Sequence, residues 1–312
     1  MASLNVTSGI NFCDFAEKRC SMHDFIVYAS TNIASIIINV LHLFVLRKIP
    51  GLKERNYFWV LFNLTFSDIA MSVAVIIFVN CDAWNLRNCF ITISAFATIT
   101  CTFQVRYWLL TLAVLDRYYA VCKPFKYTTS KFINNVGKWA AVVWIVSAVL
   151  AFAEGFTICS HLCLDSVPDS VHAMLSQVSN YFDFAVVLAV MVPFTTSTVL
   201  LVKVSLELKR MKQRRNATVE DKETRSATRY ITSVFIMFYV SIIPSIVYAG
   251  VEKVTKDDPE ADFTWLVSLS LFAHFLYGIG NVIMYGVLNK AYVAQIRSIF
   301  EPLCAAGKVS PQ

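Results

Sequence analysis

Few side chains capable of acid, base or metal chemistry lie inside the apolar stretches of this sequence. Asp68, Arg106 and Asp183 each interrupt a different apolar run, and His42 and His274 lie in two others. Enzymes that use general acid–base or metal chemistry bring such groups together in one site, whereas these five are scattered along the chain. The pattern therefore does not predict an enzyme, and we expect no cofactor.

The best match to a metal-binding pattern is the group Cys159, His161 and Cys163. This spacing could ligate zinc, but a structural zinc site needs four ligands and the fourth is lacking. Closure of the loop by a disulfide is the preferred interpretation, and we predict no metal site.

Two of the charged residues within apolar runs are expected to pair. A charge inside a membrane span costs several kcal/mol unless it is paired or hydrated. Asp68 lies eleven residues from the inner end of its run, and Arg106 lies eleven residues before Arg117, at the inner end of the next. At about 1.5 Å per residue both groups sit about 16 Å from the same boundary. Equal depth predicts a buried ion pair, although Arg106 could instead reach a water-filled pocket.

The composition shows which elements must position these residues. Of 312 residues, 57% are hydrophobic and 15% are charged, against about 25% charged in soluble domains. This excludes an ordinary soluble enzyme and intrinsic disorder. Seven apolar runs of about 20 residues can each cross about 30 Å of hydrocarbon as a helix; they span 25–46, 57–80, 90–115, 139–158, 181–202, 230–251 and 264–288.

The predicted fold is an all-α membrane protein with a seven-transmembrane helix bundle at residues 25–288. Residues 1–24 form an extracellular N-terminus, and residues 289–312 form a short amphipathic helix and a cytoplasmic tail. The alternation of apolar and basic residues over 290–300 suits a helix lying on the inner leaflet.

The distribution of charge predicts the orientation in the membrane. The segments at 1–24, 81–89, 153–180 and 252–263 contain 5 of the 27 basic and 12 of the 21 acidic residues. The positive-inside rule therefore puts the N-terminus outside and the C-terminus in the cytoplasm. The excess of basic residues behind the net charge of +6 therefore indicates topology, and we expect these residues to contact anionic lipids of the inner leaflet. No nucleic-acid partner is expected.

Cysteines and one sequon fit the same orientation, because disulfides persist in oxidising compartments. Asn5 begins the one sequon on the predicted outer face, and those at Asn63 and Asn216 are expected to be unmodified. Cys304 is a candidate for palmitoylation, with a free thiol as the alternative. Six cysteines fall outside, and their pairing stays open: Cys13, Cys20, Cys81, Cys89, Cys159 and Cys163.

Asp116, Arg117 and Tyr118 stand at the cytoplasmic end of the third run, in a segment that continues to Pro124. This segment resembles the signature of rhodopsin-like (class A) G-protein-coupled receptors. Further landmarks of that family stand at matching spacings, so that the resemblance covers essentially the whole chain. They are Asn39, Asn63, Leu64, Asp68, Trp144, Pro193, Phe238, Pro244, Asn281 and Tyr285.

The resemblance implies a multi-pass receptor of the plasma membrane whose partner is a heterotrimeric G protein. Arg117 would pair with Asp116 and with Glu223 at rest, although these groups could merely anchor helix ends. Agonist binding would swing the sixth span about Pro244, with Asn281 and Tyr285 in the seventh span taking part. The Gα C-terminal helix would then enter the cytoplasmic cleft, and the receptor would drive nucleotide exchange on Gα.

The sequence also departs from the family pattern. Arg106 stands where the family often has a serine that helps to hold sodium near Asp68, so we hypothesise that Arg106 replaces the ion, with Asn281 adding a hydrogen bond. A constitutively active or poorly coupling receptor stays open, because three familiar relay residues are replaced. The position of the family's outer cysteine is also changed, and Cys89 could pair with Cys159, Cys163 or Cys81. The replacements are Val282, Ile242 and Leu201, and Cys89 lies three residues before the family's position at Thr92.

Single positions restrict the ligand that the resemblance implies. Phe275 occupies the retinal-attachment site and Ile99 the site of the amine-binding aspartate, which sets aside an opsin and a usual amine receptor. Asp183 is the best charged candidate for ligand binding. The rest of the inferred cavity wall is largely apolar and favours a small, mostly neutral extracellular ligand, although each apolar residue could serve only helix packing. This part of the wall consists of Phe96, Ile99, Thr100, Phe103, Gln104, Ile242, Ser245, Ile246, Tyr248, His274 and Tyr277.

Three alternatives stay open at this point. The stretch from Leu112 to Thr128 is similar to odorant-type chemosensory receptors, and a peptide or lipid receptor of the same class is the second candidate. A seven-helix transporter shares the number of spans, but it would be expected to show internal repeats or broken helices, which the sequence lacks.

Overall fold

The structure is a computed structural model that describes residues 22–54, 56–80, 89–127, 129–163, 169–213, 219–254 and 264–306. Seven long α-helices and one shorter C-terminal helix account for most of these residues. They are α1 Met22–Lys48, α2 Asn56–Asn80, α3 Cys89–Cys122, α4 Val136–Cys163, α5 Asp169–Gln213, α6 Val219–Val254, α7 Thr264–Leu288 and α8 Lys290–Ala306.

The predicted all-α membrane architecture is confirmed. Helices α1 to α6 each contain a segment long and apolar enough to cross a membrane, and α7 contains the shorter apolar segment Phe272–Leu288. At 1.5 Å per residue, the 25 residues of α7 extend about 37 Å, more than the thickness of the hydrocarbon. Each of the seven predicted runs falls within one of these helices.

Several helices extend beyond the apolar runs that predicted them. The largest difference is in α5, which covers Asp169–Gln213, whereas the apolar run covers only 181–202. Hydropathy marks the part of a helix that lipid can surround, but backbone hydrogen bonding continues into polar residues. Helix α8 is likewise longer than its predicted amphipathic stretch, so Cys304 lies within α8 and not beyond it.

Short connections join α1 to α2 and α3 to α4. After α1, Gly51 adopts a φ of 69°, a conformation that glycine reaches without a steric penalty, and a 3₁₀ turn at Leu52–Glu54 leads to α2. After α3, Pro124 opens a single helical turn, Pro124–Tyr127. The 3₁₀ turn Ile133–Asn135 then runs directly into α4.

The chain forms two compact units. The first unit comprises the described residues within 1–36, 66–111 and 137–198. Its helices pack through small and aromatic side chains: a Cβ on Gly155 of α4 would lie 3.2 Å from the Ile93 Cγ2 of α3. The rings of Phe66 and Trp144 meet edge to face at 5.5 Å. The missing side chain of Gly155 therefore lets α3 and α4 approach closely.

The second unit comprises the described residues within 37–65, 112–136 and 199–312. Helices α6 and α7 pack together through Phe238 and Tyr277, whose ring centroids are 5.2 Å apart. Helix α8 starts after Asn289, whose Oδ1 accepts a hydrogen bond from the Tyr292 backbone N–H at 3.2 Å. This N-cap satisfies one of the donors that a helix start leaves without an intrahelical partner.

Candidate functional site

An ion pair lies between α2 and α3 in the first unit. Arg106 Nη2 is 2.7 Å from Asp68 Oδ1, and both side chains are only 2% exposed. Arg106 also donates from Nε to the Ser67 Oγ at 3.3 Å and from Nη2 to the Ser67 carbonyl at 3.4 Å. The guanidinium is thus held by a charge and by two neutral acceptors.

One face of α3 turns toward α2 and orients Arg106. Thr102 lies one turn before Arg106, and its Oγ1 donates to Met71 Sδ of α2 at 3.4 Å. The ring of Phe103 lies 5.9 Å from the Arg106 Cζ. Because arginine does not lose its proton in proteins, the buried pair keeps a fixed positive charge beside Asp68.

A second ionic site lies at the end of α3 in the second unit. Arg117 donates to the Asp116 Oδ2 from Nε at 2.9 Å and from Nη2. The Tyr127 hydroxyl donates to the other carboxylate oxygen of Asp116 at 3.0 Å. Asp116 is fully buried and Arg117 is 8% exposed, so both charges are desolvated and depend on each other.

Aromatic side chains extend this site across the second unit. The Arg117 Cζ lies 5.7 Å from the ring centroid of Tyr57 in α2, and the Tyr57 hydroxyl is 2.7 Å from that of Tyr285 in α7. The Tyr285 ring in turn meets the rings of His42, Tyr230 and Tyr292 at 5.4, 5.1 and 5.0 Å. We call His42, Tyr57, Tyr230, Tyr285 and Tyr292 the Tyr285 cluster.

Hydrogen bonds fix three further members of the Tyr285 cluster. The Tyr230 hydroxyl of α6 donates to the Asn281 Oδ1 of α7 at 2.5 Å. His42 Nδ1 is 2.7 Å from the Tyr292 hydroxyl. Burial raises the pKa of Tyr292 to about 12, so this phenol loses its proton only in more alkaline solution than an exposed tyrosine. The contacts therefore join Arg117 to α1, α2, α6, α7 and α8.

Sequence reasoning included Arg117, Asn281 and Tyr285 but missed the side chains that connect them. A signal was present, because tyrosines in an apolar bundle need hydrogen-bond partners for their hydroxyls. The missed residues are Tyr127, which holds Asp116, and four members of the Tyr285 cluster, His42, Tyr57, Tyr230 and Tyr292.

The residues predicted to bind ligand divide between the two units. In the first unit, Phe96, Ile99, Thr100 and Phe103 are partly exposed. Gln104 is 2% exposed, and among the described residues neither atom of its side-chain amide has a hydrogen-bond partner. Gln104 is therefore the polar member of this group whose hydrogen-bonding capacity is unused.

In the second unit, predicted ligand residues meet in a polar seam between α6 and α7. His274 Nδ1 lies 3.3 Å from the Ser241 Oγ, and its Nε2 lies 3.5 Å from the Ser245 Oγ. Ser245 is also hydrogen-bonded to Ser270 of α7. We call Ser241, Ser245, Ser270 and His274 the serine–histidine seam; Ser241 and Ser270 were not predicted.

The other predicted residues on α6 and α7 differ in exposure. Ile242 and Tyr277 are buried, whereas Tyr248 is partly exposed. Ile246, which was also expected on the cavity wall, is 64% exposed. Successive helical residues differ by about 100° in direction, so Ile246 lies on the outer surface of α6 beside the seam residue Ser245.

Two further residues of the predicted switch are Tyr118 in α3 and Pro244 in α6. Tyr118 is partly exposed, and its ring lies 5.5 Å from the Lys123 Nζ. Pro244 lies within the continuous helix α6.

Several predicted sites lie outside what the structure describes. Glu223 and Asp183 belong to α6 and α5, but their side chains are not among the described ones, and the same holds for Cys89, Cys159, Cys163 and Cys304. Asn5, Cys13, Cys20 and Cys81 lie outside the described residues. Their pairing or modification stays a prediction.

Comparison with known proteins identifies the family of this chain. Residues 14–283 match the family described as 7 transmembrane receptor (rhodopsin family). The chain is 22% identical to the melatonin receptor type 1C of Xenopus laevis over 298 residues, which covers 89% of this chain and 67% of that receptor.

Two shorter similarities involve other receptors. The chain is 29% identical to the tyramine receptor tyra-2 of Caenorhabditis elegans over 38% of this chain and 26% of that receptor. It is 26% identical to the human olfactory receptor 2H2 over 40% of this chain and 41% of that receptor. With a family match that covers most of its length, the chain belongs to the rhodopsin family of seven-transmembrane receptors and is a G-protein-coupled signalling receptor of the membrane.

Proposed function

We propose that this receptor binds a small, largely neutral extracellular ligand and drives nucleotide exchange on a heterotrimeric G protein. The receptor itself performs no covalent chemistry. Arg117 is held at rest by Asp116, and ligand binding releases it through a movement of α6 about Pro244. The freed end of α3 then contacts the C-terminal helix of Gα.

The observation that carries this proposal is the buried route of contacts from Arg117 to the moving helix. Tyr57 contacts the guanidinium and Tyr285, and the Tyr285 ring contacts Tyr230 of α6. A displacement of α6 therefore changes the surroundings of Tyr285 and Tyr57, and with them the environment of Arg117. The predicted contact of Arg117 with Glu223 would add a second link to α6.

The character of the ligand rests on the side chains of the predicted cavity. Apolar residues predominate, and Gln104, Ser245, Tyr248 and His274 supply neutral polar groups, a combination typical of small-molecule sites. Ile99 offers no charge to an amine. Two similar receptors are named for melatonin and tyramine and one for olfaction, which supports a small ligand and leaves a chemosensory role open.

This function can be tested by applying a broad ligand library to transfected cells that express the receptor. G-protein activation is measured for wild type and for Arg117→Ala at matched surface expression. We expect small neutral compounds to activate wild type alone. Activation by peptides or lipids only would favour the alternative receptor classes, and stimulated exchange that survives in Arg117→Ala would refute the assigned role of Arg117.

We further propose a plasma-membrane orientation with the N-terminus outside. In this orientation Asn5 carries a glycan and the outer cysteines form disulfides, while Cys304 faces the cytoplasm, where it can be palmitoylated. Glycosidase treatment of Asn5→Gln tests it, with Asn63→Gln and Asn216→Gln as controls. Only the first variant should lose the mobility shift; a shift lost in Asn216→Gln would reverse the orientation.

We also propose that Arg106 takes the place of a sodium ion beside Asp68. The pair, at 2.7 Å, already neutralises the carboxylate with a fixed cation. Agonist affinity should then be independent of sodium when choline replaces it at constant ionic strength. Affinity that falls as sodium rises under that control would contradict the substitution.

A further inference from the structure

The serine–histidine seam lies on both sides of Pro244, which stands within the continuous helix α6. Pro244 has no N–H with which to bond the carbonyl of Val240, so α6 is locally weakened there. Ser241 precedes Pro244 and Ser245 follows it. Helix α6 therefore presents one hydroxyl from each side of its weakest point.

One side chain of α7 contacts both hydroxyls. His274 uses Nδ1 toward Ser241 and Nε2 toward Ser245, at 3.3 and 3.5 Å. Ser270 lies one helical turn before His274 and is hydrogen-bonded to Ser245. The same face of α7 thus holds α6 before and after Pro244.

The donors and acceptors of the seam are assigned from the shorter of the two contacts that Ser241 makes. The Ser241 hydroxyl donates its single proton to the Phe238 carbonyl at 2.6 Å, so toward His274 it can only accept. His274 Nδ1 must then carry the proton, and in the neutral ring Nε2 accepts from Ser245. Ser245 in turn accepts from Ser270. This assignment of protons follows from the hydrogen-bond network.

The inner half of α6 is held to α7 by a different kind of contact. Phe238 packs against Tyr277, and the Met237 side chain approaches the α7 backbone at Gly280 so closely that a Cβ there would overlap the Met237 Cε. Apolar contacts of this kind are not directional, whereas hydrogen bonds depend on angle. The seam therefore supplies directional contacts between α6 and α7 around Pro244.

We propose that His274 is a positioning residue that latches the turns of α6 before and after Pro244 to α7 and keeps the receptor at rest. This rests on the proposed function, because it names the contact that ligand binding must release. Ser245 and Ser270 are partly exposed, so a ligand that hydrogen-bonds to either of them competes with the latch.

Variants of His274 separate its two contacts. His274→Phe keeps a ring and removes both hydrogen bonds, His274→Asn keeps a group near Nδ1, and His274→Gln keeps one near Nε2. Losing two hydrogen bonds is expected to raise the fraction of receptor with displaced α6 about tenfold in His274→Phe. The Asn and Gln variants should each show a smaller rise.

The main readout is a distance and does not depend on G-protein coupling. Spin labels introduced as unnatural amino acids at Arg229 of α6 and Val287 of α7, both exposed, report the α6–α7 separation in the ligand-free receptor. We expect a longer distance to gain population in His274→Phe. A distribution identical to wild type would overturn the latch. Failure of nucleotide exchange alone would overturn the proposed function but not the latch.

A reversible crosslink provides a second test that does not require altering His274. The Ser245 and Ser270 hydroxyls are in contact, so cysteines at these positions are near the separation that a disulfide needs. Oxidation of Ser245→Cys with Ser270→Cys should lower ligand-free exchange and abolish the displaced distance population, and reductant should restore both. Ile246→Cys with Ser270→Cys is the matched control and should not crosslink. Unchanged distances in the crosslinked receptor would contradict the proposal.

Discussion

Neutralising Asp68 should destabilise the receptor far more than removing the whole ion pair. The Asp68→Asn variant keeps the shape of the side chain but leaves the Arg106 guanidinium, 2% exposed, without its counter-charge. Two unit charges about 4 Å apart interact by about 4 kcal/mol at an effective dielectric of about 20. Breaking one partner of a buried pair typically costs about 3–5 kcal/mol, and we expect Asp68→Asn to lie in this range.

A variant of Arg106 and the double variant complete a double-mutant cycle with Asp68→Asn. Arg106→Met leaves a carboxyl group that can bind a proton and become neutral, which arginine cannot do by losing one. Its cost should therefore be smaller, about 1–3 kcal/mol. The double variant carries no uncompensated charge and should be within about 1 kcal/mol of wild type or more stable.

Unfolding in mixed micelles of increasing SDS fraction, followed by circular dichroism, measures these free energies. The exposed pair Glu207 and Arg210, 3.3 Å apart with Arg210 73% exposed, is the matched control. Its coupling should be below about 1 kcal/mol. A coupling between Asp68 and Arg106 no larger than that of the control would refute the reasoning.

Three further predictions concern buried contacts elsewhere in the chain. Gln104→Met removes two unsatisfied polar atoms and should stabilise the receptor by about 1–3 kcal/mol in the same micelle assay; a loss of stability would show that the amide is satisfied. Tyr292→Phe should loosen α8, measured by protease cleavage, by removing the bond to His42. Burial raises the pKa of Tyr292 from 10.0 in the unfolded chain to about 12 in the folded one. The contribution of the protonated phenol to the free energy of unfolding is therefore fully present below pH 10 and is lost as the pH rises through about 12. Gly155→Leu should lower the free energy of unfolding in the micelle assay by about 1–3 kcal/mol through overpacking. Gly286→Ala should be tolerated, because a Cβ on Gly286 would lie 3.7 Å from its nearest neighbour, the Tyr292 ring. Equal losses in the two variants would contradict the close approach of α3 and α4.

The helices were predictable because membrane spanning depends on local hydropathy and length. The run at 264–288 coincides with α7, since this helix begins and ends where apolar residues do. Helix α5 was underestimated at both ends, because its residues outside lipid are polar and still helical. Hydropathy does not distinguish a polar helix from a polar loop.

The ion pair between α2 and α3 was predictable only as far as the depth of each residue along its helix shows that the two can meet. Asp68 and Arg106 could be put at one depth from helical rise alone, but Ser67 as a partner of Arg106 depends on how the two helices are rotated. The role of the pair stays a prediction.

The sequence could indicate that buried tyrosines need hydrogen-bond partners, but for a similar reason it could not indicate which residues meet in the Tyr285 cluster. His42 and Tyr292 are 250 residues apart on α1 and α8, and their contact depends on how several helices pack. A single sequence gives the periodicity of each helix but not which faces meet. The family pattern could carry Asn281 and Tyr285 to this chain, but it gave no reason to include Tyr57 or Tyr230.

The release of Arg117 from Asp116 is the central claim, and ligand-free nucleotide exchange tests it most directly. The purified receptor in lipid nanodiscs is mixed with members of each Gα class, and exchange is followed with a fluorescent GTP analogue. We predict faster exchange for Asp116→Asn, a smaller increase for Tyr127→Phe, and no receptor-driven exchange when Asp116→Asn is combined with Arg117→Ala. Exchange by that double variant as fast as by Asp116→Asn alone would contradict the account.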